Sequence, residues 1–391
     1  MMTKTLCGLA ILMAAVAAQG EVKFRAQEIQ DKFGIGYAIN IADMNGDKKP
    51  DIVAINQTQA VWYENPSWIK HVILDGTTKK DNVCFSVTDI DGDGKLDMAI
   101  GADWQATNTK SGGSLQWIGS RDGWKVHPLG EEPTLHRMRW GDVDGDGRKE
   151  LVVMPLHGRG NARTDNADAN SWQGDGVRVL VYQPGKDPVA QPWTSEVADN
   201  TLHIVHNFIV TDFDGKKGEE IVTASREGIH VLSRAKDGKW SRMKIGAGSP
   251  GEIKLGRIAK GTRAFATIEP WHGTSVAVYT EPSKGSSGDW NRTVIDDTLT
   301  GGHAIGWADF DRDGVDDIVA GWRDKQFGLA LYQLRDGRWN KQVIEMGGMA
   351  AEDLAVGDLN GDGLPDVVAS GRTSSNIKIY WNDGNNNKDK K

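Results

Sequence analysis

The feature that most constrains this chain is an acidic loop that returns about every fifty residues. Copies begin at Asp43 (DMNGDKKPD), Asp89 (DIDGDGKLD), Asp142 (DVDGDGRKE), Asp212 (DFDGKKGEE), Asp309 (DFDRDGVDD) and Asp358 (DLNGDGLPD). An alternating apolar run precedes each loop and a β-rich run, such as Leu151 to Val153, follows it, so each unit reads as strand, loop, strand. The gap between Asp212 and Asp309 is about twice the usual period and predicts a unit that lacks the acidic loop. That unit is present: Ile253, Leu255 and Arg257 fall where Met138, Trp140 and Asp142 fall, and ATIEPWHG (266–273) matches VVMPLHG (152–158). The chain therefore contains seven units.

A further strand signature opens with tryptophan at Trp68, Trp124, Trp193, Trp240, Trp290 and Trp339, and six such strands leave one unit short. The missing strand is FRAQEI from Phe24, ahead of the first unit, while the last unit ends near Trp381. An N-terminal strand that completes the C-terminal unit closes a ring and removes the exposed sheet edges. The reading is all-β: a seven-bladed β-propeller over residues 21–383 closed by its N-terminal strand, with a linear β-solenoid as the alternative. Residues 1–20 carry Lys4, then an apolar run from Leu6 to Ala18 with small residues at Ala15, Ala17 and Ala18, and read as a secretory signal. The expected location is secreted or periplasmic. Residues 384–391 read as a disordered polar tail. Cys84 stands alone once Cys7 leaves with the signal, so no internal disulfide is expected, and no stretch after the signal could span a membrane.

The loops place oxygen ligands at their first, third, fifth and ninth positions, a spacing that wraps a tight turn about Ca²⁺. The candidate ligands are Asp43, Asn45, Asp47 and Asp51; Asp89, Asp91, Asp93 and Asp97; Asp142, Asp144, Asp146 and Glu150; Asp309, Asp311, Asp313 and Asp317; and Asp358, Asn360, Asp362 and Asp366. In the fourth loop Lys216 occupies the fifth position, where its ammonium could replace the metal. These loops are not EF-hands, because the twelfth position falls inside a strand at Ala54, Ile100, Val153, Ala320 or Ala369. Structural calcium in about five loops would also neutralise the formal charge of −8. The acidic balance and the lack of a basic, aromatic-interleaved patch point away from nucleic acid.

Chemistry is expected on the opposite face. Six residues before each loop's first aspartate stand Tyr37, Val83, His136, His206, His303 and Glu352. At the far ends of the second strands stand Asp103, Trp104, His157, Arg159, Arg226, Glu269, Trp271, His272, Trp322, Arg323 and Arg372. Antiparallel pairing brings both sets to one rim. Histidines at one repeat position suit Zn²⁺, and His136, His206 and His303 are the candidate ligands. His157, or failing that His272, is the candidate base, with Arg159 beside it. The other arginines could bind carboxylate or hydroxyl oxygens, and Trp104, Trp271 and Trp322 could stack on sugar faces. Tyr37, Asp103, Glu269 and Glu352 complete the expected substrate-binding set. The polar segment 158–173 leaves from this rim and is a candidate pocket wall. Nucleophile signatures of the Ser/His/Asp or Cys/His kind are absent.

The D-x-[DN]-G-D-G-x-x-[DE] loops resemble those of FG-GAP or VCBS-type propellers over nearly the whole mature chain. HRMRWGDVDGDGRKELVVMPLHGRG, HNFIVTDFDG, ATIEPWHG and GGHAIGWADFDRDGVDDIVAGWR are similar to the propeller domain of aldos-2-ulose dehydratases. That resemblance implies a zinc ion that polarises a sugar ketone, a histidine that moves protons, and elimination of water. The cupin and lectin-like domains of that family have no counterpart in this sequence. The function expected is a metal-dependent lyase acting on a keto-sugar or oxidised saccharide. Two alternatives stand beside it: a polysaccharide lyase acting on uronates, with Arg226, Arg323 or Arg372 neutralising the acid, and a non-catalytic glycan- or protein-binding propeller.

Overall fold

Strands with β-branched or small apolar residues on both faces must be covered on both sides, and here they stack against neighbouring sheets in a ring. The second strands show this best: Asp51–Ile55, Asp97–Ala102, Glu150–Pro155, Glu220–Ser225, Asp317–Trp322 and Asp366–Gly371 are buried at every position. The computed structural model describes residues 21–163, 172–283 and 288–385. The expected secretory signal, residues 1–20, lies outside the described residues, as does most of the expected tail; the last strand extends to Asn385, two residues beyond the expected end of the propeller.

Seven four-stranded antiparallel sheets form the blades. Blade 1 runs from Ala38–Ala42 to Ile69–Asp75, blade 2 from Cys84–Thr88 to Lys125–Glu131, and blade 3 from Leu135–Gly141 to Thr194–Asp199. Blade 4 runs from Val205–Thr211 to Trp240–Gly246, blade 5 from Glu252–Ile258 to Asn291–Asp296, and blade 6 from Gly302–Ala308 to Arg338–Met346. Blade 7 joins Ala351–Gly357, Asp366–Gly371 and Ile377–Asn385 to the N-terminal strand Val22–Gln30. That strand pairs Phe24 with Asn382 and Ala26 with Tyr380, and Gln27 Oε1 accepts from Trp381 Nε1 (2.8 Å). The ring is thus closed by the first strand, as the count of tryptophan-led strands requires. In blade 5 a short 3₁₀ turn, Ala259–Gly261, replaces the acidic loop.

The acidic loops share one clamp. The ninth-position carboxylate is buried and accepts the backbone N–H of the second position: Met44 to Asp51, Ile90 to Asp97, Val143 to Glu150, Phe213 to Glu220, Phe310 to Asp317 and Leu359 to Asp366, at 2.9–3.2 Å. Three of these residues also hold the turn beyond the third strand, accepting from Asn65, Ser120 and Asn382. The ninth position therefore anchors the loop to the blade as well as facing the possible ion. Carboxylates converge within 4.8 Å in Asp89/Asp91/Asp97, Asp142/Asp144/Asp146 and Asp309/Asp311/Asp313. The fourth loop gathers Asp212, Asp214 and Glu220, and there Lys216 Nζ lies 2.7 Å from Asp214 Oδ2. Asp311 is already paired with Arg335 at 2.6 Å, so the sixth blade's loop carries less uncompensated charge than its sequence suggests.

Candidate functional site

Each first strand runs from the rim to its acidic loop, about 20 Å at some 3.3 Å per residue, which sets the loops and histidines on opposite faces. The first strands are not regular where they begin. Register shifts fall between Leu135 and Arg137, Val205 and Asn207, Gly302 and Ala304, and Ala351 and Asp353. The extra residue in these bulges is His136, His206, His303 or Glu352, and a bulge frees such a residue from strict alternation.

Four imidazoles meet at the mouth of the ring. The His206 ring centroid lies 4.6 Å from His136, 4.6 Å from His272 and 5.0 Å from His303, and His272 lies 4.6 Å from His303. Ring nitrogens of His206, His272 and His303 all fall within 4.8 Å of one another. The closest-packed triple therefore contains His272 where repeat position led to His136. The reason is Gly251, which occupies that repeat position in blade 5. Its Cβ would lie 2.1 Å from Trp271 O, so a side chain there would fill the space taken by the turn that delivers Trp271 and His272.

The hydrogen bonds assign the protons. His206 Nδ1 donates to Gly251 O (3.0 Å) and faces Glu252 Oε1 (3.0 Å), and His303 Nδ1 donates to Glu352 O (2.5 Å). Both rings thus present an Nε2 lone pair. His272 is the reverse: its Nδ1 accepts from Trp271 Nε1 (2.9 Å) and Arg323 Nη2 (3.1 Å), so its Nε2 carries the proton, 2.7 Å from His206 Nε2. Burial drives the conjugate acids of His136, His206, His272 and His303 down, helped by Arg137 at His136 and by Arg323 at His303, while Glu252 opposes the shift at His206. The imidazoles are neutral at pH 7, as metal ligands must be. Glu252 is held in turn by the Asn207 amide and by Arg137, 3.7 Å away.

His157 joins this group from the end of Glu150–Pro155, tied to Thr134 by its N–H (3.0 Å). Its ring stacks on Trp172 (4.0 Å) and lies 6.0 Å from Trp271. Burial pushes its conjugate acid to about 3. Among the described residues His136 Nε2 and His157 Nδ1 are buried without a hydrogen-bond partner, as is His230 Nδ1 in the third strand of blade 4. Trp104 stacks on His136 (4.8 Å). The segment expected as a pocket wall contributes Trp172 through the short pair Ala162–Arg163 and Trp172–Gln173, while residues 164–171 lie outside the described residues. Arg226 Nη1 donates to Trp172 O (3.4 Å).

Other expected residues are engaged differently. Glu352 is clamped by Arg323 (2.5 Å) and Arg372 (2.7 Å), and Arg372 lies over the Tyr37 ring (5.9 Å). Asp103 pairs with Lys79 at 3.2 Å. Three more of the expected residues already have partners. Trp322 is no stacking platform, since its side chain is in the core and Nε1 donates to Gln326 O (2.6 Å). Glu269 is not available to substrate, because Arg292 (2.6 Å), Tyr279 (2.6 Å) and Thr267 (2.9 Å) take its buried carboxylate. Arg159 pairs with buried Glu132 (3.0 Å), which Arg178 also holds. Sequence reasoning missed Glu252, Glu132 and Trp172. Gly251 at the repeat position of blade 5 was the available sign that His272 has room to enter.

Residues 112–282 match the aldos-2-ulose dehydratase β-propeller domain, and residues 43–100 match the FG-GAP-like repeat. An aldos-2-ulose dehydratase of Phanerodontia chrysosporium is 26% identical over 321 residues, which is 73% of this chain and 33% of the relative. The chain thus spans about a third of the length of the curated relative it matches. Among solved structures, an Agrocybe aegerita lectin that recognises non-reducing terminal N-acetylglucosamine aligns with a TM-score of 0.53 at 14% identity, covering 88% of this chain and 91% of the lectin. A chain of the mitotic checkpoint complex aligns at 0.55 and 10% identity, covering 97% and 98%. At such identities these two share the fold alone. Among the described residues no helix is long and apolar enough to cross a membrane. This chain is a seven-bladed β-propeller that carries an FG-GAP-like repeat over residues 43–100 and resembles, over the residues 112–282 that hold His136, His157, His206 and His272, the propeller domain of aldos-2-ulose dehydratases.

Proposed function

We propose that this protein is an exported, metal-dependent carbohydrate lyase that carries out β-elimination on a keto-sugar or oxidised saccharide. The observation that carries the reading is the convergence of His206, His272 and His303 in a propeller similar to that of a carbohydrate dehydratase. The donor set fits Zn²⁺: three neutral nitrogens, two of them with Nδ1–H fixed by backbone carbonyls, leaving a place for substrate. When bound, the metal supplies Lewis acidity to the sugar ketone and so acidifies the adjacent C–H. His206 and His303 are ready ligands, whereas His272 joins them only when its proton passes to Nδ1 and the hydrogen bonds from Trp271 and Arg323 yield.

His157 removes the α-proton. Of the two rim imidazoles with an unpartnered nitrogen, His136 has the Arg137 cation beside it to suppress protonation, whereas burial and His206 alone depress His157. Arg323 and Arg372 orient substrate oxygens, and Trp104 and Trp271 shield the site from water. Calcium in the acidic loops holds the opposite face. The test is turnover of a 2-keto-aldose to an unsaturated ketone, followed by ultraviolet absorbance, with zinc counted on the same sample. About one tightly held zinc per chain and product formation support the reading.

One observation favours a second reading, a uronate lyase. Arg323 and Arg372 both reach the Glu352 carboxylate, which sets two guanidiniums at the rim where a uronate carboxylate would find cationic partners. Turnover of a uronate polymer by protein holding calcium alone would select it, and no turnover of either substrate would leave a glycan-binding propeller.

A further inference from the structure

The rim beside Arg323 has a feature that the elimination itself does not use. Between blades 6 and 7 a depression of about 680 Å³ opens, lined among others by Thr300, Arg323, Lys325, Phe327 and Thr373. Its walls are fixed by backbone hydrogen bonds: Arg323 N to Gly301 O (3.1 Å), Asp324 N to Thr300 O (3.0 Å) and Gly347 N to Phe327 O (2.8 Å). Thr300 Oγ1 donates to Lys325 O (2.5 Å), which leaves the hydroxyl oxygen free to accept. The depression is therefore preformed.

It also adjoins the histidine group through Arg323. Arg323 lines it while donating Nη2 to His272 Nδ1 (3.1 Å) and Nη1 to Glu352 (2.5 Å), so one guanidinium separates the two spaces. The lining joins a half-buried aromatic ring, Phe327, to hydroxyls at Thr300 and Thr373 and the exposed ammonium of Lys325. A pyranose offers the complement, an apolar C–H face and a hydroxylated edge. Within the lining Asp324 opposes Lys325, and Arg323 is paired with Glu352. The lining thus matches a neutral ring better than a charged one.

We infer that the depression between blades 6 and 7 is a subsite for a second sugar ring, so that the histidine site acts on a glycosylated keto-sugar, or the keto end of an oligosaccharide, in preference to a free monosaccharide. The inference rests on the carbohydrate reading above and adds the size of the substrate to it.

The test compares kcat/KM for a 2-keto-aldose and its 4-O-glucosyl derivative in the parent protein, Phe327→Ala and Thr373→Trp. Thr373 is exposed, so the tryptophan blocks the depression without entering the core, and a melting curve checks that Phe327→Ala is folded. The parent should prefer the disaccharide by about tenfold or more, and each variant should lower that preference by about tenfold, the worth of one good ring contact. Equal kcat/KM for the two sugars in the parent, or a preference that both variants retain, overturns the subsite. If neither sugar is turned over, the lyase reading fails on its own, and maltose and cellobiose titrations followed by saturation-transfer NMR decide the subsite. Saturable binding that Thr373→Trp abolishes upholds it; no saturable binding of either disaccharide overturns it.

Discussion

His206 and His272 lie 66 residues apart in the chain, yet their Nε2 atoms are 2.7 Å apart. One comes from a bulge at the start of blade 4 and the other from the turn after the second strand of blade 5. Their opposite proton assignments make them unequal as ligands. Zinc should be lost altogether in His206→Ala and in His303→Ala, and only weakened in His272→Ala. Metal analysis after dialysis measures this. Loss of zinc in His136→Ala with retention in His272→Ala would restore the set suggested by repeat position.

His157→Ala should keep fold and zinc while turnover falls by about 10² to 10⁴, the usual effect of removing a general base. Turnover at the parental rate with zinc in place would move the base to His136.

Glu252 should act through His206. Its buried carboxylate lies 3.0 Å from His206 Nδ1, beside the Gly251 carbonyl that takes that nitrogen's proton, and its charge favours the same tautomer. Glu252→Gln is expected to weaken zinc binding by about 10- to 100-fold without unfolding the ring. Competition with a zinc chelator reads the affinity directly. An unchanged affinity would reduce Glu252 to a packing role.

Calcium removal should matter more at high pH. Burial and the neighbouring loop carboxylates raise Asp317 to about 8, Glu150 to about 7 and Asp366 to about 6, well above their ordinary values. Between those ordinary values and the raised ones the unfolded chain is ionised while the folded loop holds its protons. Ion-free stability from these groups is therefore present at low pH and lost as pH rises towards 8. Buried His157 works in the opposite sense: its folded value of about 3 lies below the ordinary 6.5, so its contribution is present above pH 6.5 and lost on acidification. The calcium-dependent increment in melting temperature separates the two. Measured with zinc restored after chelation, it should be larger at pH 8 than at pH 5.5 by about 5 °C. No increment at either pH would remove calcium from the account of stability.

Deleting residues 21–30 should expose the edge of Ile377–Asn385 along its whole pairing with Val22–Gln30. The expected result is aggregation, read by light scattering. A monomeric truncation of equal stability would mean that this strand does not close the ring.

The blade number, the closing strand and the face that carries the histidines are legible in the sequence, because each depends on short-range pattern. Alternation fixes strands, the spacing of carboxylates and glycines fixes loops, and the tryptophan-led strands count blades. Even the loopless blade 5 follows from the interval between Asp212 and Asp309. Sequence could not decide which rim residues meet or which are already engaged. His272 enters the group because Gly251 leaves room for the turn carrying it, and Trp172 arrives through an excursion with no counterpart in other blades. Glu269, Trp322 and Arg159 share the rim pattern but are held by Arg292, the Gln326 carbonyl and Glu132. Those contacts join different strands, turns and blades, so they depend on how the blades fold and pack once the ring has closed, which no repeat period encodes.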